Sequence, residues 1–227
     1  MLSELSRNLN AFMFYACLNY LQILSLCRSS FVDVSEIKLA YALMFTLPGV
    51  PFLYYGDEIG MRFIEGLPSK ESGYSRTGTR TLMQWEPGRN LGFSEAEPSA
   101  LYLPVDPSDD VPTVQVQQGD PGSMLSTVKA LIALRRRYAD LGADGDFEVM
   151  HATPGDPLFA YRRGSLLLLA NPSDGEATLD VQHKAAAGPR GEYGVSFAIG
   201  QAKMGQGWIT LAPQSFAVIA PAGAGSS

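Results

Sequence analysis

Apolar positions recur along this chain with three rhythms, and each predicts a different kind of element. From Asp33 onward, Ile37, Ala40, Tyr41, Met44 and Leu47 return at helical spacing. Asp33 with Glu36 three residues later has the form of a capping box, in which the two side chains serve backbone N–H groups that the first turn leaves open. Pro48-Gly49 closes that helix. The apolar run Val50 to Tyr55, ended by Gly56, reads as a buried strand of a parallel sheet. Helix, tight turn and apolar strand in this order are the αβ half of a βα repeat. Residues 57 to about 122 hold many prolines and glycines and almost no periodicity, which predicts a long functional loop. A second helix follows, with Asp120 or Ser123 as its cap and Leu125, Val128, Ile132 and Leu134 as its apolar positions. Arg135-Arg136-Arg137 sits near its C-terminal end and Gly142 terminates it.

Beyond Asp146 the rhythm shortens to that of strands. The candidates are Phe147 to Met150, Leu158 to Arg162, Leu166 to Ala170, Thr178 to Val181, Trp208 to Leu211 and Phe216 to Ile219. Turn residues such as Pro154-Gly155-Asp156 and Pro172-Ser173-Asp174-Gly175 separate them, so a small antiparallel β-sandwich is expected. The fold class is therefore α/β plus all-β. The first thirty or so residues behave differently, with no charged residue between Arg7 and Arg28. An apolar helix, buried or dangling, is the expected state of residues 1–32. A membrane anchor is the alternative, opposed by Asn10, Asn19 and Gln22 within the run and by flanks without a positive bias. Nor does the run resemble a cleaved leader, since Glu4 precedes it. A third reading is that this stretch is read-through from a shifted frame.

Composition adds exclusions. The formal net charge of −6, with no basic cluster beyond the triple Arg, argues against a nucleic-acid partner, because phosphate neutralisation needs clustered cations. The two cysteines, Cys17 and Cys27, form no CxxC pair. With only His151 and His183 to assist them, they predict apolar core thiols rather than a zinc site or a disulfide framework. No metal and no cofactor are expected, and a cytoplasmic location is.

Three stretches carry a family resemblance. Leu47-Pro-Gly-Val-Pro-Phe-Leu-Tyr-Tyr-Gly-Asp-Glu-Ile-Gly-Met61 looks like the eighth barrel strand of glycoside hydrolase family 13 with the end of its preceding helix. Arg80-Thr-Leu-Met-Gln-Trp85, followed by Asn90-Leu-Gly-Phe93 and Leu103-Pro-Val105, is similar to the RTPMQW, NAGF and LPV run of the oligo-1,6-glucosidase and trehalose synthase branch. Ser126 to Arg136 matches the helix that leads into the family's C-terminal sandwich. Leu82 stands where that branch usually has proline, and Glu86 where it has aspartate. The resemblance implies a division into an unplaced segment 1–32, the end of a (β/α)8 catalytic barrel with its active-site loop over 33–143, and a β-sandwich over 146–221. It also implies a substrate for the full-length enzyme, an α-linked gluco-oligosaccharide or starch-like glucan. No membrane association is expected, and a complementing barrel segment is a candidate partner.

Retaining cleavage of a glycosidic bond needs two carboxyls about 5–5.5 Å apart, brought together from different barrel strands. Asp57 and Glu58, as neighbours in an extended segment, point to opposite faces and cannot easily converge on one sugar. They stand among the substrate-binding candidates, with anchoring of the loop and a supporting shell as their competing role, and no residue of this chain is assigned a catalytic role. Arg80 is the foremost substrate-binding candidate, since a guanidinium offers a planar fork of donors to hydroxyls or a carboxylate. A loop-stabilising ion pair with Asp57 or Glu58 is its competing role. Trp85, Phe93 and Tyr74 could stack on pyranose rings or make up the loop's own small core. The expected function is that of the C-terminal portion of a retaining α-glucoside-processing enzyme. The alternatives are a non-catalytic carbohydrate-binding or regulatory module, or an unusually short active amylase.

Overall fold

The computed structural model describes residues 33–68, 77–181 and 193–223. The helix expected over residues 1–32, both cysteines, Tyr74 and His183 lie outside the described residues. The described residues divide into two compact units, one holding Lys38–Pro51 and those from Leu131 on, the other holding 33–37 and those from Phe52 to Ala130.

Helix α1 spans Val34–Thr46. The expected cap forms: Asp33 Oδ1 accepts the Ser35 N–H at 2.8 Å, and Glu36 Oε2 accepts the Asp33 N–H at 3.3 Å. Gly49, at φ 99°, carries the chain away after the helix through a conformation other residues rarely adopt. Val50 to Tyr55 does not form the buried strand expected of it. No strand is assigned there, and Val50, Phe52, Leu53, Tyr54 and Tyr55 are exposed. A strand exists only through pairing, and every strand pair among the described residues is antiparallel and lies beyond residue 147.

The larger unit is a β-sandwich. Its strands are β1 (Glu148–His151), β2 (Phe159–Arg163), β3 (Leu166–Asn171), β4 (Ala177–Asp180), β5 (Tyr193–Ile199), β6 (Ala202–Gly205), β7 (Trp208–Leu211) and β8 (Ser215–Pro221). One sheet has the order β1-β2-β3-β8-β5, the other β4-β7-β6. All six expected strands are present, within a residue or two of their expected ends, while β5 and β6 are additional. β5 is an edge strand with a register shift between Val195 and Phe197, and neither new strand shows the clean alternation that periodicity detects. Leu158, Ala160, Leu169, Ala217 and Ile219 from the first sheet pack against Ala177, Leu179, Ile209 and Leu211 from the second, and burial of these apolar faces holds the sheets together.

The first sheet is buried on its other face too, where Phe159, Tyr161, Leu168, Phe216 and Val218 are sequestered. Here Tyr161 Oη lies 2.5 Å from Thr46 Oγ1, which also donates to the Ala42 carbonyl. Arg163, with 0% of its surface exposed, donates from Nε to the Asp146 carbonyl at 2.8 Å, from Nη2 to that of Gly142 at 2.6 Å, and from Nη1 to that of Thr46. Burial lowers its pKa. Arg135 serves the end of α1 in the same way, donating to the Phe45 carbonyl at 2.6 Å and to that of Gly49. Both arginines thereby serve carbonyls at the end of α1, where the last turn leaves them without helical partners.

Burial raises the Tyr161 phenol well above its ordinary range. A raised folded-state pKa means stability is full below about pH 10, the ordinary tyrosine value, and falls as pH rises beyond it. Tyr161→Phe is therefore expected to cost about 1 kcal/mol at neutral pH and to show a smaller further loss at high pH than the parent chain. Urea midpoints at pH 7 and pH 10.5 test this; equal alkaline losses in the two proteins would exclude Tyr161 as a source.

Candidate active-site loop

The second unit is organised by short turns. Gly56 (φ 85°) and Gly60 (φ 69°) bracket one 3₁₀ turn, Asp57–Ile59, so the chain enters and leaves it through left-handed glycines. The two acids thus sit on a turn, and the extended segment expected for them is not observed. Successive residues of a 3₁₀ turn are about 120° apart. Asp57 is buried, with Oδ2 accepting the Tyr54 N–H at 3.0 Å, while Glu58 is half-buried. Its place on the turn makes Asp57 an anchor for the chain leaving Tyr55.

Ile59, Met61, Met83 and Leu125, with Val114 against them, form the apolar base of this unit. Gln117, which follows from no sequence pattern, ties its parts together: Nε2 donates to the Ile59 carbonyl at 2.7 Å and Oε1 accepts the Leu125 N–H at 3.0 Å. Gln117 lies in α2 (Val114–Gln117), capped by the Thr113 hydroxyl, and Leu125 in α3 (Met124–Arg137), whose first turn is capped by Ser123. Arg62 pairs with buried Asp106 at 3.3 Å and exposed Asp110 at 2.9 Å, which holds the Asp110 carboxyl below its usual range.

On this base stands the segment carrying most of the candidates. Tyr55 Oη donates to the Thr81 carbonyl at 2.9 Å, connecting the turn with the residue after Arg80. Arg80 follows the 3₁₀ turn Thr77–Thr79 and is exposed. The Trp85 and Glu86 N–H groups both donate to the Leu91 carbonyl, at 2.9 and 3.2 Å, closing a tight loop. Asn90 and Leu91 are left-handed at φ 50° and 52°. Asn90 is suited to this, because its side chain satisfies the loop by donating to the Ser94 and Ala96 carbonyls at 2.7 Å each. Gly92 is obligatory, since a Cβ would lie 2.6 Å from Glu86 Cγ and 3.3 Å from Trp85 Cβ.

The outcome is that Trp85 and Phe93, 50% and 46% exposed, are held outward from opposite limbs of this loop. They are not part of the small core. The structure places Trp85, Phe93 and exposed Arg80 along one loop segment, with Asp57 buried beneath the chain that leads to it. His151 lies in the sandwich, with Nε2 2.7 Å from Asp156 Oδ2. Among the described residues no three His, Cys, Asp or Glu side chains cluster as a metal site would require.

Solved structures share the fold. Eubacterium rectale Amy13B aligns over 85% of this chain and 36% of its own, with a TM-score of 0.65 and 22% identity. The trehalulose synthase MutB of Pseudomonas mesoacidophila aligns over 82% of this chain and 38% of its own, with a TM-score of 0.64 and 20% identity. These neighbours are built on a (β/α)8 barrel. Residues 20–144, more than half of the chain, match the family profile described as "Alpha amylase, catalytic domain", and the chain belongs to the α-amylase family. Among curated relatives, the trehalose synthase/amylase TreS of Mycobacterium tuberculosis is 42% identical over 137 residues, 58% of this chain and 21% of that protein. The probable oligo-1,6-glucosidase 2 of Bacillus subtilis is 35% identical over 158 residues, 57% of this chain and 27% of that protein. The chain thus spans between a fifth and about a quarter of the length of these relatives.

Proposed function

We propose that this chain is the C-terminal portion of a retaining α-glucoside-processing enzyme. Residues 33–143 contribute the last barrel strand, its flanking helices and the active-site loop, and 146–221 the closing sandwich. The observation that carries this reading is the loop from Arg80 to Phe93, fixed by backbone hydrogen bonds so that a cation and two aromatic rings remain exposed. A pyranose has an apolar C–H face suited to Trp85 and Phe93 and a rim of hydroxyls suited to the Arg80 fork. Asp57 is committed to the Tyr54 N–H and Glu58 projects elsewhere on the same turn, so the two carboxyls of a retaining mechanism come from barrel strands that this chain does not contribute. The exposed apolar run Val50 to Tyr55 is the surface on which such strands would pair, making a complementing barrel segment the natural partner. An α-linked gluco-oligosaccharide or starch-like glucan is the substrate of the completed enzyme. Among the described residues no helix is long and apolar enough to cross a membrane, and a cytoplasmic location belongs to the same proposal.

The test has two arms. The isolated chain is expected to give no turnover on maltose, isomaltose or starch. A chimera in which residues 33–221 replace the matching part of a bacterial trehalose synthase is expected to turn over maltose, and Arg80→Ala to reduce that rate at least tenfold. Robust turnover by the pure isolated chain, or a folded chimera indifferent to Arg80, would overturn the reading.

A further inference from the structure

The outer face of the three-stranded sheet also displays an aromatic ring, that of Trp208. β4 and β7 turn Ala177, Leu179, Ile209 and Leu211 inward, so the alternate residues face away from the core. Strand register sets Thr178, Thr210 and Lys203 in one cross-strand row and Asp180, Trp208 and Gly205 in the next, roughly 7 Å along the strands. The Thr178 and Thr210 hydroxyls are 2.7 Å apart. Trp208 is 41% exposed, and its indole lies across Gly205: a Cβ there would fall 2.2 Å from Cε2, 2.3 Å from Cζ2 and 2.6 Å from Nε1. Any residue larger than glycine would lift the ring. Gly205 thus lets one indole face rest on backbone while the rest of the ring stays open to water. One face of the ring is thus seated and the rest is presented to solvent, the arrangement that a stacking ligand requires.

We propose that this face is a binding platform for an α-linked glucan, with Trp208 stacking under a pyranose ring and the Thr178–Thr210 pair meeting its hydroxyls. The choice of glucan rests on the function proposed above; the choice of a sugar rests on the face itself. Two rows with one ring are far smaller than the roughly 800 Å² per partner that a stable protein interface buries. Asp180 and Lys203 flank the ring with one charge of each sign, which suits a neutral ligand better than an anion. Hydroxyl pairs both donate and accept, as sugar hydroxyls do.

The chain has two tryptophans, so Trp85→Phe leaves Trp208 as the sole indole reporter. In that background, maltoheptaose is expected to change Trp208 emission saturably, and soluble starch in a native gel to retard migration. Adding Trp208→Ala should weaken retardation about tenfold, the loss of one stacking contact. Adding Thr178→Val with Thr210→Val should weaken it while leaving Trp208 emission sensitive to saturating sugar. Should Trp208→Ala fail to fold, the emission titration of the folded Trp85→Phe chain decides alone. Emission indifferent to maltoheptaose, or retardation unchanged by Trp208→Ala, would overturn the platform. Neither result bears on turnover by the chimera, so failure here and failure of the proposed function are distinguishable.

Discussion

Arg163→Met is expected to destabilise the sandwich unit by about 2–4 kcal/mol, because the buried Thr46 carbonyl and the part-buried carbonyls of Gly142 and Asp146 lose a charged donor at once. Methionine fills the space but offers no N–H, leaving the Thr46 carbonyl dry and unmatched, while Gly142 keeps the Gly145 N–H at 3.3 Å and Asp146 faces water. Lysine keeps the charge yet places it at a single point, and it cannot reach three acceptors arranged for a planar fork. Arg163→Lys should therefore fall between the parent and methionine variants. Urea denaturation followed by far-ultraviolet circular dichroism reads the order. A methionine variant within 1 kcal/mol of the parent would show that solvent or a neighbouring donor replaces the guanidinium.

Two phenylalanines should separate cleanly under the same measurement. Phe216 is fully buried in β8, paired between Ala170 of β3 and Ile199 of β5. Phe216→Ala removes a ring from a close-packed face and should cost about 3–5 kcal/mol. Phe93→Ala removes a ring that is largely in water and should change stability by about 0.5 kcal/mol or less. If Phe93→Ala proved as costly as Phe216→Ala, the aromatic loop would be a structural core and its proposed role in stacking would fail.

Local signals in the sequence carried well where the cause is itself local. The capping box at Asp33 and Glu36 needs only a few residues to form, and the alternating strands of the sandwich announce an inner and an outer face. The apolar run Val50 to Tyr55 reads as a strand, but pairing comes from backbone elsewhere, which composition cannot supply. β5 and β6 were missed because an edge strand with a register shift blurs the period of two. In the candidate site, the exposed residues Arg80, Trp85 and Phe93 were legible through the family resemblance, whereas Gln117 was not. Its importance lies in contacts with Ile59 and Leu125, and a lone glutamine on a short helix signals nothing of the kind. Arg163 is similar, looking like one more surface cation of a strand until three carbonyls converge on it.

The placing of β8 between β3 and β5 has a consequence for synthesis. β8, an interior strand of the five-stranded sheet, is the last of the eight described strands to be made, so a nascent chain still lacking Ser215–Pro221 has nothing to join β3 to β5. Until those seven residues emerge, β3 and β5 both present unsatisfied edges. Chaperone protection during translation matters most in that interval.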